Sequence, residues 1–137
     1  VFLNMTPPRA MLERYPARYS FHVLDYEENL RNREAIADLL GVHGRSDLRV
    51  VVTVSPVPLN ATHSGEDVVT ANTLSKTTLR AVAGKWASLH DNVTYFPSYE
   101  IVMNSDRALA WARDGRHVRR RMVDHVMEVF LRNFLAA

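Results

Sequence analysis

The chain has 137 residues, 47% hydrophobic and 23% charged, with a formal net charge of +2. That length supports one domain with a real core and is too short for two. The small charge gives no compositional case for nucleic acid, no apolar run reaches the length of a membrane span, and the absence of cysteine excludes disulfides and thiolate metal sites.

The first residue is Val1, and Val1-Phe2-Leu3 reads as the continuation of an element. The chain is therefore expected to be a piece of a longer protein, a processing boundary being the alternative. No signal peptide is visible. Compartment is not decided by the missing cysteine, and a cytoplasmic location is the expectation.

Thr6-Pro7-Pro8 suits a helix start, with a short helix from Pro8 to Arg14 ending before Pro16. Tyr19 to Val23 is compatible with a short strand. Asp25 can cap a helix running to about Leu40, with Leu30, Ile36, Ala37 and Leu40 at helical spacing and Gly41 and Gly44 near its end. Val50 to Val54 is β-branched at every position and does not alternate with polar residues. This pattern predicts an interior parallel strand buried on both faces. Pro56 and Pro58 cannot donate to a ladder, so the strand stops near Ser55.

Leu59 to Thr70 reads as a long polar connection. A helix from about Ala71 to His90 follows, with Leu79, Val82, Ala83, Trp86 and Leu89 as its apolar stripe. Val93 to Phe96 is a second short strand, ended by Pro97. Ser98 to Met103 and Arg107 to Trp111 are candidate short helices. The last helix spans about Val118 to Leu135, burying Met122, Val126, Val129, Phe130 and Phe134. The order predicts an α/β fold with a parallel sheet. Two or three strands are fewer than a doubly wound sheet carries, so strands are expected upstream of Val1.

Four stretches could carry chemistry. In Asp114-Gly115-Arg116-His117, a carboxylate three residues before a histidine can hold one side of the imidazole and leave the other nitrogen to take a proton. The plainer reading is a helix-capping aspartate beside a surface histidine. Ser75 and Lys76, after Asn72, are placed at a helix start whose free amides can bind an anion, or are simply a polar first turn. Tyr95 to Glu100 follows the second strand, where Tyr99 and Glu100 could line a pocket, or the aromatics could be core. Ser55 follows the first strand but lacks a G-x-S-x-G elbow, so lining a site suits it better than nucleophilic attack. In open parallel sheets, ligands bind beyond the carboxyl ends of the strands. Ser55, Asn72, Ser75, Lys76, Tyr99 and Glu100 are therefore expected to line a substrate site there.

The six histidines are scattered, and His117 and His125 lack i, i+4 spacing, so no metal site is expected. No cofactor is expected either. Arg116 with Arg119 to Arg121 reads as a solvated helix face, not a nucleic-acid surface. Asn4, Asn60 and Asn92 begin glycosylation sequons, which matter only in a secretory pathway.

Thr53-Val54-Ser55-Pro56-Val57, Ala71-Asn72 with Ser75-Lys76, Tyr95-Phe96-Pro97-Ser98-Tyr99-Glu100 and Asp114-x-x-His117 occur together in this order. Together they resemble the second half of the GSCFA family, which is similar to the SGNH (GDSL-like) hydrolases. The resemblance covers roughly Leu48 to Phe130. It implies a three-layer parallel sheet of the SGNH, flavodoxin-like kind, of which residues 1–137 would form the C-terminal part of one domain. It also implies that Asp114 orients His117 and that His117 is general base and then general acid. The Gly-Ser-Cys-Phe-Ala motif that names the family is missing from this chain. The resemblance therefore implies that the nucleophilic serine and the oxyanion donors lie before Val1.

The expected activity is ester hydrolysis or acyl transfer through an acyl-enzyme, on a small-molecule or carbohydrate ester, O-acylated carbohydrate being an analogy alone. The partner needed would be the missing N-terminal segment of the same protein. The rival is a non-catalytic binding or structural domain that keeps the fold.

Overall fold

A run of β-branched residues favours extended backbone, because side chains branched at Cβ pack well on a pleated surface. In the computed structural model, which describes residues 26–39, 41, 45, 47–62 and 65–135, that run forms β1 (Val50–Val52). It pairs in parallel with β2 (Val93–Tyr95), Val50 lying opposite Val93 and Val52 opposite Tyr95. Between them runs α2 (Val68–Leu89). The chain is thus an α/β protein with a two-stranded parallel sheet joined by a helical crossover among the described residues. Before the sheet lies α1 (Tyr26–Leu39). After it come α3 (Ser98–Met103), α4 (Arg107–Ala110) and α5 (Arg120–Phe134). The expected elements Pro8 to Arg14 and Tyr19 to Val23, the Asp25 cap and Gly44 lie outside the described residues.

Two expectations need correction. β1 is shorter than Val50 to Val54, and all three of its residues are half-buried, not enclosed on both faces. Val50 and Val52 pack against Ala37, Trp86 and Val93, with Leu48 and Ala87 completing the cluster. Side chains alternate along a strand, so Val51 and its partner Thr94 turn the other way, and Thr94 is exposed. The last ladder bond is Phe96 N to Val52 O at 2.8 Å. Pro97 then ends the partner strand, so among the described residues Thr53 and Val54 have no ladder partner.

The helix expected from Ala71 begins three residues earlier. Asp67 caps it, its Oδ1 accepting from Val69 N at 2.9 Å and Thr70 N at 3.3 Å. The β-branched Val68, Val69 and Thr70 look unlike a helix start, but a good cap outweighs a few tenths of a kcal/mol of propensity (~1 kcal/mol against ~0.5). The apolar stripe holds at Val82, Ala83 and Trp86, which are buried, whereas Leu89 is exposed.

A second cluster unites the C-terminal elements: Val102, Ala110, Trp111 and Met122 are buried together, with Ile101, Val118 and Val126 against them. Phe96, just past β2, ties this half to the sheet. Its ring meets Phe130 edge-on at 5.3 Å and Phe134 at 5.9 Å, and those two stack at 5.0 Å.

Candidate functional site

The Asp114–His117 pair is built by a closed loop between α4 and α5. Trp111 and Val118 form an antiparallel bridge. Ala112 N donates to His117 O at 2.8 Å and Arg119 N to Ala110 O at 2.8 Å. Gly115 turns the chain with φ of +65°, and a Cβ there would lie 3.2 Å from an Arg107 guanidinium nitrogen. Only glycine adopts that backbone at little cost.

Inside the loop Asp114 gathers three donors. Its Oδ1 accepts from Arg116 N and His117 N, each at 3.0 Å, and its Oδ2 meets His117 Nδ1 at 2.5 Å. The imidazole bond, then the two amides, hold the Asp114 carboxyl well below the usual carboxylate range. Asp114 is not a helix cap, because the residue capping α5 is Arg119, which makes no side-chain cap bond. Both side chains are open to solvent, His117 at 69% and Asp114 at 49%. In the neutral tautomer that carries its proton on Nδ1, toward the carboxylate, the lone pair is on Nε2. That arrangement can accept a proton from a hydroxyl brought to it.

Among the described residues no side-chain hydrogen bond or ion pair joins any two of the other expected site residues. Ser55, three residues past β1, is exposed, and its Oγ accepts from Val57 N at 3.3 Å. Asn72 Oδ1 accepts from Leu59 N at 3.0 Å, pinning the loop after β1 onto α2. Ser75 and Lys76 are both buried. They do not sit at a helix start: α2 begins at Val68, so they lie beyond its first turn and their amides are not free to bind an anion. Lys76 does not pair with Glu100. Instead Glu100 Oε1 accepts from Arg80 Nε, and Glu100 Oε2 accepts from the Tyr95 hydroxyl at 2.8 Å. The Arg80 guanidinium also lies 3.9 Å from the Tyr95 ring centroid. Tyr99, half-buried, adjoins this cluster in sequence.

Burial pushes the Glu100 carboxyl up, but bonds from Arg80 and Tyr95 outweigh it, and the net shift is downward. The Tyr95 phenol is pushed up, first by burial and then by its bond to Glu100. These groups therefore form a fixed ion pair with a neutral phenol attached. Arg80 had no motif to announce it. It stands 20 residues from Glu100, and its helix position is the only signal the sequence offers.

A second clamp was equally silent. Ser98 Oγ contacts Thr53 Oγ1, and also reaches Val54 O at 3.3 Å. It ties the start of α3 to the end of β1. A cleft lined by Leu30, Arg31, Glu34, Asp38, Leu89 and His90 opens at the other end of the sheet, where α2 ends and β2 has yet to begin. His90 Nε2 meets both Glu34 oxygens there at 3.1 Å. Among the described residues no group of three or more His, Asp or Glu is placed to hold a metal ion. None of their helices is long and apolar enough to cross a membrane.

No curated protein and no solved structure matches this chain. The model of the GSCFA family matches residues 3–130, most of the sequence, including all four candidate stretches from Ser55 to His117, and the chain belongs to the GSCFA family.

Proposed function

We propose that this chain carries the acid–base half of an SGNH-like ester hydrolase or acyltransferase. Family membership suggests a hydrolase-like role, and the observation that carries the finer reading is the Asp114–His117 bond of 2.5 Å on an imidazole whose side chain is exposed. The proposal includes the three-layer SGNH-like sheet, of which the described strands would be two, and a nucleophilic serine supplied from before Val1. The rest of the catalytic set then comes from that segment of the same protein.

In this reading the serine hydroxyl attacks the ester carbonyl as His117 Nε2 takes its proton. Asp114 stabilises the resulting imidazolium. The tetrahedral intermediate collapses, and His117 returns the proton to the departing alkoxide. Water, or an acceptor hydroxyl, then attacks the acyl-enzyme by the same route in reverse. Ser55, Asn72, Ser75, Lys76, Tyr99 and Glu100 would shape the substrate site at the strands' carboxyl ends. Glu100 acts there through Arg80 and Tyr95, as a support.

The test is turnover of a panel of acyl esters by full-length protein and its His117→Ala variant. Loss of roughly 10² to 10⁴-fold, with unchanged thermal unfolding, supports the assignment. A variant that works at the wild-type rate overturns it.

A further inference from the structure

Charge is not spread evenly along this protein. From Asp106, which caps α4, to Arg119, which precedes α5, the sequence carries four arginines and two aspartates, whereas basic and acidic residues balance in the rest of it. The whole formal excess of +2 therefore lies in the segment that builds the Asp114–His117 loop. Neither aspartate is paired with an arginine side chain. Asp106 Oδ1 accepts from Ala108 N at 2.7 Å and Leu109 N at 3.2 Å, and Asp114 is taken up by His117 and two amides.

Two of the four arginines stand against the loop itself. Arg116 follows Gly115 inside it, so it does not belong to the face of α5. Its side chain is half-buried, and its Nε is enclosed without a hydrogen-bond partner among the described residues, whereas its two terminal nitrogens are not enclosed in this way. The base of the guanidinium is thus seated in the protein and the end of its fork is open. Arg107 reaches back from α4, with Nη2 lying 3.2 Å from where a Cβ on Gly115 would stand. Among the described residues neither side chain makes a hydrogen bond or ion pair. Arg80, Arg120 and Arg132, by contrast, each have a carboxylate. Two unspent planar forks therefore border the loop that holds His117. Such forks match the oxygens of carboxylate and phosphate, and charge of one sign around a site concentrates ligands of the other.

We propose that Arg107 and Arg116 select a substrate that carries an oxyanion, carboxylate or phosphate, beside its scissile ester. The ester in this statement rests on the hydrolase reading. Capture of the oxyanion requires no turnover. Both forks are reached by water, so each contributes modestly, roughly twofold to fivefold, and less as salt rises.

The experiment compares full-length protein on 3-acetoxybenzoate and on its neutral match, 3-acetoxybenzamide. At low salt the ratio of their kcat/KM values should favour the anion by about 3- to 10-fold, and it should shrink toward one at high salt. Arg107→Gln and Arg116→Gln should each lower that ratio by roughly twofold to fivefold. A substitution that merely loosened the loop would slow both esters alike and leave the ratio unchanged, which would overturn the proposal. Binding is read separately from the NMR signal of the Arg116 Nε–H group, identified by its loss in Arg116→Gln. The products 3-hydroxybenzoate and, for the phosphate class, phenyl phosphate are titrated against 3-hydroxybenzamide. Either anion should move the signal, and the one that does so names the class, while the amide should leave it in place. His117→Ala should retain this response. If neither ester is turned over, the hydrolase reading fails and the Arg116 signal still decides the present proposal. If Arg116→Gln does not fold, Arg107→Gln, altered at an exposed side chain, carries the comparison of ratios. A ratio of one at low salt overturns the proposal, and so does an Arg116 signal that neither anion moves or that the amide moves equally.

Discussion

Asp114 and Glu100 are both carboxylates held below their usual range by specific donors, but they are assembled on different scales. Asp114 draws all its partners from the next three residues, and its loop is open to water. Glu100 draws one partner from β2 and one from α2, twenty residues away. The first arrangement costs little chain entropy and leaves the imidazole side chain exposed. The second joins three elements and is less open to solvent, with Arg80 and Glu100 only partly exposed. A locally built pair suits a reacting group that must be reached, and a long-range pair suits a scaffold.

The sharpest break of this contrast is functional. His117→Ala in full-length protein should cost roughly 10² to 10⁴-fold in ester turnover, while stability stays within ~0.5 kcal/mol because the side chain is exposed. Asp114→Asn should lose a similar factor or less, read as kcat/KM on the same ester, since an amide no longer favours the imidazolium. Glu100→Gln should show the reverse. It should destabilise by about 1 kcal/mol in denaturant unfolding, discounted because both partners are partly exposed, with a smaller effect on turnover. A double-mutant cycle with Arg80→Gln should recover most of that value as coupling.

Acid offers a subtler comparison. Glu100 has a folded-state value below its unfolded one, so its stabilising contribution is present above the ordinary carboxylate value and is lost as pH falls below it, through the folded value. Asp114 is depressed further, so NMR of its carboxyl carbon should show it still ionised when ordinary carboxylates near pH 4 are half-protonated. The smallest expected effect on turnover is at Gly115. Replacement by Ala at φ of +65° should cost about 1 kcal/mol, and it should lower turnover only as far as the loop shifts against Arg107.

The same contrast of scale explains what could be read from the chain alone. Asp114 and His117 were legible because their bond spans three residues and a loop fixes it. The β1–α2–β2 crossover was legible because hydrophobic period and length distinguish strands from helices. Arg80 was not, because nothing local marks an arginine whose partner is on another element. The depth of β1 was misjudged for a related reason: β-branching reports strand formation, while burial depends on what covers each face, here the Ala37–Trp86 cluster on one side. The start of α2 was misplaced because Asp67, a single capping residue, outweighed the composition of the three that follow.

The parallel register itself carries a kinetic consequence. Val50 finds Val93 only across the entire loop and helix between them, so the ladder cannot zip from a turn as a hairpin does. Closing such a long segment is entropically slow, and prior formation of α2 shortens the search by replacing coil with a rod of roughly 1.5 Å per residue. Pulsed hydrogen exchange during refolding should therefore protect amides in the middle of α2 before that of Phe96, whose bond to Val52 O exists only once the two strands have met. Residues that stabilise α2 early should govern the folding rate, whereas β1 residues should mainly govern how fast the sheet comes apart.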